Sequence, residues 1–403
     1  MKSKLKRVVS LALVVGIMLC ATGCWDRIEI NERLFVLALA IDKFEPGRDV
    51  QNEEEGGGQH EEGKDQPEAS PRNRMVVSIV FPNVGLLKKE GAIVPEEAKF
   101  SVSTVGPNIS EAARQLNTRL NGNIFFGHVK AILVGEALIK DEKLFMEVLD
   151  ELEREHEISR NVDFAAVKGD AKDALFIKPL VEPIIGTYIE KIFRQRKTGR
   201  FYAKDLGRIV TSIREIGGAV LPRLVVAEKE YNIAGGCLIK NNKFRAWLGE
   251  IETRAAQWID NTGGEDVISI DISGIFIPFE LTELKRRMRV WRDEADIIHL
   301  SIALEAEGNI AGHIIDVHRE VMEQSFIREV ETAVSRDMVA QCTAVMDKMQ
   351  HEFGVDIWSI GEHIRKFHPQ IWEDVKDNWA VEFTKMEVDI SADVKVRRVG
   401  IIK

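Results

Sequence analysis

Apolar residues recur along this chain in two rhythms, and each predicts a different element. Continuous short runs predict strands buried on both faces: Phe35 to Ile41, closed by Asp42, then Met75 to Phe81, Val129 to Val134 and Asp163 to Val167. Helical spacing appears between them. Ile109, Ala113, Leu116 and Leu120 share one face of a predicted helix over 110–120, with Ser110 as its N-cap. A helix pair follows, with Leu144, Val148, Leu149 and Leu152 inward and Glu151, Glu153 and Glu155 on a solvated outer face. Alternation of strand and helix predicts a layered α/β domain ending near Arg196.

Beyond it, Lys191 to Arg200 reads as a basic helical linker, and Phe201 to Ile216 as a helix stopped by Gly217-Gly218. A meander is expected over Leu224–Glu228, Ile233–Lys240 and Phe244–Leu248, turning at Asn241-Asn242, before a helix opening at Glu252. Strict alternation then marks two strands, through Ile268, Ile270 and Ile272 and through Leu300, Ile302 and Leu304. Val317 to Phe353 predicts a long amphipathic helix, broken once, whose stripe is Val321, Ile327, Val330, Val334, Met338, Cys342, Val345 and Met349. That stripe is read as core packing. A shorter helix over 360–367 ends at Pro369. Met386, Val388, Ile390, Ala392, Val394 and Val396 then predict a half-buried antiparallel strand.

The fold class is α/β (α+β), with three domains, each a mixed or antiparallel sheet packed with helices. Their predicted extents are 24–196, 197–262 and 263–403. Residues 46–74, with Glu53-Glu54-Glu55-Gly56-Gly57-Gly58 and Pro67, offer nothing to a core and are expected as a solvated loop.

The first 23 residues stand apart. Lys2, Lys4, Lys6 and Arg7 precede an apolar run over 8–20, and Ala21-Thr22-Gly23 leads to Cys24. That run is short of the roughly 20 residues a spanning helix needs, and Asp26, Arg27, Glu29 and Glu32 follow at once. These are the parts of a secretory signal, with Cys24 at the position where bacterial lipoproteins are acylated. Ala21 stands where such sites usually carry Leu. A plain secretory signal cut after Gly23 and a membrane-spanning anchor are the alternatives. Losing the signal's four positive charges would take the net charge from −10 to −14. Such an acidic balance argues against nucleic-acid binding, and leaves acyl chains as the means of membrane attachment.

Candidate chemistry is sparse. Cys237 and Cys342 lie in apolar segments and are read as buried small hydrophobes, with a disulfide as the alternative. His128, between Gly127 and a buried strand, is read as structural, with a place in a binding site as the second reading. His313 and His318 are five apart and do not share a helix face. His351, His363 and His368 lack zinc-hydrolase spacing. Glu252 beside Arg254 reads as a capping ion pair rather than a substrate clamp. Seven tryptophans are spread along the chain, without the clustering of a carbohydrate platform. No catalytic residue, metal ligand or cofactor site is expected.

Several segments nevertheless resemble one family. Cys24-Trp25-Asp26-Arg27-Ile28-Glu29-Ile30-Asn31, Ala38-Leu39-Ala40-Ile41-Asp42, Ile109 to Asn117, and Phe125-Phe126-Gly127-His128-Val129-Lys130 come first. Gly218-Ala219-Val220-Leu221-Pro222, Trp247 to Arg254, Phe353-Gly354, Pro369, Trp372 and Trp379 complete the set. Together, in this order, they are similar to the Ger(x)C spore germination lipoproteins, the C subunits of germinant receptors. The loop over 46–74 is longer than the family pattern. The resemblance implies acylation at Cys24, residence on the outer face of the spore inner membrane, and a three-domain α/β fold. It implies a polytopic A subunit and a permease-like B subunit as partners, and no enzymatic activity. A solute-binding lipoprotein that captures the germinant, and a cell-wall enzyme, are the rival expectations.

Overall fold

The first apolar run divides in two because the chain changes sheets within it. Arg33–Phe35 (β1) and Ala38–Lys43 (β2) are separate strands, with the Val36 amide bonded to the Phe125 carbonyl and the Leu37 amide to that of Val80. The structure, a computed structural model, describes residues 32–46, 74–83, 98–177, 182, 184–195, 199–227, 230–263, 265–310 and 324–399. Cys24 with its signal, residues 25–31, nearly all of the loop expected at 46–74, and His313 and His318 lie outside the described residues.

From β2 the order is β3 (Met75–Pro82), β4 (Lys99–Gly106), α1 (Ile109–Arg119), β5 (Asn123–Phe125), β6 (Ala131–Gly135), α2 (Glu136–Lys140) and α3 (Glu142–Arg154). Then come β7 (Asp163–Val167), α4 (Ala171–Phe176), α5 (Ile185–Gln195), α6 (Leu206–Glu215), β8 (Gly218–Val226), β9 (Tyr231–Lys240) and β10 (Lys243–Leu248). Apart from the short β1–β5 pair, these strands form one eight-stranded sheet, ordered β10-β9-β8-β7-β6-β2-β3-β4. Its centre, β8-β7-β6-β2, is parallel, and antiparallel hairpins flank it on either side.

Parallel strands covered by helices on both faces must be apolar throughout. Leu39, Ile41, Ile132, Val134 and Phe164 point to a core shared with α1, α3 and α6. Ala38, Ala40, Ala131, Leu133 and Val167 point to the opposite core, closed by α4 and α5. Side-chain oxygens cap the helices: Asn108 accepts from the Glu111 amide at 2.7 Å, Asp141 from Leu144 at 3.3 Å, and Asp205 from Arg208 at 2.8 Å. The cap of α1 is thus Asn108, not Ser110, which already lies inside the helix. The outer acids of α3 are also less solvated than expected. Glu153 is half-buried and takes both Arg160, at 3.4 Å, and Arg214.

Within the expected linker, Lys191–Gln195 form the last turn and a half of α5, which docks on the sheet through Ile185, Ile189 and Phe193. The helix expected from Phe201 begins only at Leu206, and Phe201 and Tyr202 are buried in irregular chain before it. Asn241 and Asn242 both adopt positive φ, 50° and 63°, as a two-residue hairpin between β9 and β10 requires. Strands β8–β10 continue the sheet that β2 begins, so backbone hydrogen bonds run unbroken from 24–196 into 197–262.

The remainder comprises α7 (Glu250–Asp260), β11 (Asp266–Ile272), β12 (Ile275–Arg292), β13 (Ile298–Ile310) and α8 (Gln324–Asp347), which runs into a π-helical turn over Lys348–Phe353. Helices α9 (Ile360–Phe367), α10 (Pro369–Val375) and α11 (Trp379–Lys385) precede β14 (Glu387–Val399). The second sheet is β11-β12-β13-β14. β14 pairs with β13 in parallel, not antiparallel: alternation is the same either way, and α8–α11 supply the long crossover that a parallel return needs. The buried stripe of α8 is Phe326, Val330, Val334, Met338, Cys342 and Val345, with Ile327 half-buried beside it. This core also takes Val220 and Leu238 from β8 and β9, which seats the second sheet's unit against the far side of the first. The whole is mixed α/β, with sheets packed by helices, as the sequence pattern led us to expect.

Candidate functional site

A polar cleft of about 940 Å³ opens where the segment before α6 faces the end of α7. Its position follows from two local devices. Asp205 caps α6, and residues 201–205, in irregular chain before it, line one side. On the other side α7 ends at Asn261, whose left-handed backbone (φ 55°) turns the chain through Thr262 and Gly263.

Three side chains give the cleft its chemistry. Tyr202 is 4% exposed, and its hydroxyl has no hydrogen-bond partner among the described residues. Trp358 Nε1 donates to the Ala256 carbonyl at 2.9 Å instead. Lys204 is half-buried, its ammonium 4.8 Å from the centre of the Tyr202 ring, with no hydrogen bond or ion pair among the described residues. Burial lowers its pKa, partly countered by Asp260. Burial likewise raises the Asp260 carboxyl to about 6, against the pull of Lys204 and Arg286. Arg286 closes the end of α7, donating to the Ile259 carbonyl at 2.7 Å.

A second hollow of about 650 Å³ adjoins it, sharing Asn161, Asp205 and Arg208. Here Glu190 accepts from Lys130 at 3.3 Å and from Arg194 at 2.6 Å. Asp163 is pushed up to about 7, chiefly by burial, then by the charges of Glu190 and Asp205. Among the described residues, no three of His, Cys, Asp and Glu are grouped to hold a metal ion.

Of the residues singled out from the sequence, Cys24 lies outside the described residues. His128 is exposed at the rim of the second hollow, edge-on to Phe35 at 4.9 Å and tilted against Phe125 at 5.6 Å. His351 pairs with Asp347 at 2.9 Å on the helix surface, and His363 packs on Phe367 at 4.7 Å. Glu252 and Arg254 do not pair with each other. Glu252 accepts from the Gly249 amide at 2.7 Å and binds Lys348 at 2.6 Å, whereas Arg254 turns to Gln341 at 2.9 Å and Asp266 at 3.6 Å. Cys237 and Cys342 are free and buried, and burial pushes the Cys342 thiol up to about 12. Two of the tryptophans meet: Trp372 and Trp379 lie 5.8 Å apart, and Trp379 donates to Asp356 at 3.2 Å. Tyr202, Lys204 and Asp260 carried no signal in the sequence, because two of them sit in irregular chain and the third ends an ordinary amphipathic helix.

Three residues in or beside the described segments that carried the family resemblance make structural joints. Asp42 accepts from the Ala171 and Lys172 amides at 2.7 and 2.8 Å, which caps α4 from β2. Trp247 donates to Glu136 at 3.1 Å, tying β10 to α2. Buried Asp356 accepts from the Trp358 and Gly361 amides at 3.1 and 2.9 Å.

Two family models match in this order: "Spore germination protein N-terminal domain" over residues 26–226 and "Spore germination B3/ GerAC like, C-terminal" over 234–400. The chain belongs to the Ger(x)C family. Among its relatives in Bacillus subtilis (strain 168), spore germination protein YndF is 25% identical over the full length of both chains. Spore germination protein B3 is 22% identical over 99% of this chain and all of its own. The crystal structure of the GerBC protein superposes with a TM-score of 0.57 at 19% identity, covering 80% of this chain and 93% of that one. At that identity the match speaks for a shared Ger(x)C fold. The two Ger(x)C domain models divide between β8 and β9, which are hydrogen-bonded neighbours in the large sheet.

Proposed function

We propose that this protein is a non-enzymatic, lipid-anchored subunit of a nutrient germinant receptor, acting in spore germination. The observation that carries the reading is the match of both germination-family models, in order, across nearly the whole chain. The leader supports it: basic residues, a short apolar run and Ala21-Thr22-Gly23-Cys24 are the parts of a lipoprotein signal, and the reading takes Cys24 as its lipid-bearing residue and the spore inner membrane as its place of action. The conspicuous titratable groups fit a scaffold better than a catalyst, since Asp42 and Asp356 spend their oxygens on backbone amides and Glu252 divides its own between the Gly249 amide and Lys348. Its partners would be a polytopic A subunit and a permease-like B subunit, met on the membrane surface.

The test is made in spores. Replacing Cys24 by Ala should shift the full-length protein out of the membrane fraction and slow nutrient-triggered loss of refractility, while germination induced without nutrients proceeds normally. Nutrient-triggered germination unaltered after deletion of the whole gene, with loss of a hydrolytic activity instead, would overturn the reading.

A further inference from the structure

We propose that the open edge of β12 takes up an extended acidic segment of a partner protein as an added strand. The inference rests on this strand and not on the receptor reading above.

β12 outruns its neighbour on one side. β11 pairs with it only from Ile275 to Leu281, whereas β13 follows it on to Arg292. Just beyond, the Asp293 amide donates to the Ile297 carbonyl at 3.1 Å, which fixes the alternation of the antiparallel ladder. Lys285, Arg287, Arg289 and Trp291 therefore exchange their backbone hydrogen bonds with β13. Arg286, Met288 and Val290 turn their amides and carbonyls to the other side, where no hydrogen bond reaches them from any described residue. The far border of the same sheet is treated differently. On β14 the Ala392 carbonyl accepts from Ser335 at 2.7 Å, and the Val396 amide donates to Glu331 at 2.9 Å, both on α8. β12 has no such cover.

The side chains say which strand would fit. Lys285, Arg287 and Arg289 stand in line on the outer face, all exposed. Lys285 reaches Glu283 at 2.6 Å and Arg287 reaches Glu305 at 2.8 Å, surface pairs that hold weakly. Arg289 has no ion pair among the described residues. Residues of an added strand directly opposite these three would share their face, and acids there would meet all three cations. On the inner face Leu284 and Met288 pack on the core yet stay half-buried, so apolar residues at the alternate positions would extend that core. The same charges turn other occupants away. A second copy of β12 would set Lys and Arg opposite Lys and Arg, and charged edges refuse indiscriminate pairing in general. Backbone bonds would supply the affinity and the alternating side chains the selectivity.

Fluorescence anisotropy on the purified full-length protein decides the matter. The probe is a labelled synthetic peptide of alternating Glu and Val, about ten residues long, with a Lys and Val counterpart as control. Hydrogen exchange resolved at single amides is read alongside. Saturable binding of the Glu peptide alone, with slowed exchange at Arg286, Met288 and Val290, is the expected result. Joint replacement Arg287→Glu and Arg289→Glu should weaken it about tenfold or more, and should let the Lys peptide bind instead. Far-ultraviolet circular dichroism verifies that the variant is folded. No saturable binding up to about 1 mM, equal binding of both peptides, or binding that leaves the three amides unprotected would sink the proposal. The last outcome would mean capture by side-chain charge alone, which an anionic membrane surface could equally supply. The wild-type titration needs no spores, so its failure is separable from failure of the germination reading.

Discussion

The carboxylate of Asp42 accepts the amide hydrogen of Ala171 at 2.7 Å, across 129 residues of chain. Its second oxygen takes the Lys172 amide at 2.8 Å, so one side chain on a central strand finishes the first turn of α4. Asp42→Ala would strand two amides at a buried helix start, and should cost about 2–4 kcal/mol. Asp42→Asn keeps one acceptor and should cost about 1 kcal/mol. Urea unfolding midpoints of the three chains check the order.

Gly135 is part of the same joint. A Cβ there would collide with the Asp42 carboxylate and press on the Ala171 amide. Gly135→Ala alone should therefore destabilise by about 2 kcal/mol. Combined with Asp42→Ala the penalties should fall short of their sum, because the obstacle is gone. Strict additivity in a double-mutant cycle would refute the steric account.

Trp247 and Glu136 make a second long-range tie, at 3.1 Å, between the edge strand β10 and α2. Trp247→Phe keeps most of the apolar volume and loses the donor. It should cost about 1 kcal/mol, and Glu136→Ala, which removes the acceptor, should remove most of the difference between Trp and Phe at 247. Thermal unfolding of the four chains measures the coupling.

The pH dependence follows from Asp163. Its pKa rises from 3.8 to about 7 in the fold, through burial and then Glu190 and Asp205, opposed by Arg194 and Lys130. Between those values the native chain holds a proton that the unfolded chain has released. Stability from this group is thus fully present below 3.8 and lost as pH climbs through about 7. Asp163→Asn removes that slope, so the variant should unfold at higher temperature than the parent near about pH 8, with the gap closing toward about pH 5. Asp42 and Asp260, shifted in the same direction, are common to both chains and drop out of the comparison. An equal gap at both ends refutes the assignment.

The parallel centre of the large sheet was legible because a strand buried on both faces has nowhere to put a polar residue, as Leu39, Ala40 and Ile41 show. β12 was not. Its outer face carries Lys285, Arg287 and Arg289, and Arg286 interrupts the inner one, so the apolar alternation breaks up within the strand. The docking of α5 was hidden for a related reason: Lys191 and Arg194 dominate its visible end, whereas Ile185 and Ile189 that anchor it lie earlier. The direction of β14 could not be read at all, since period two is blind to the neighbour's direction. The cleft was illegible because proximity of Lys204 to Asp260 is a property of the packed helices and of no segment alone.

β2 also sets a timetable. It is the second strand made, yet its parallel neighbour β6 begins at Ala131, and the sheet beyond β6 extends to β10. The hydrogen-bonding edge of β2 toward β6 stays open while the intervening chain is completed, and closing long loops before any reward slows folding. The most apolar early strand therefore spends the nascent period as an unpaired edge, the form in which sheets aggregate most readily. Pairing with β3 can shield only one of its two sides.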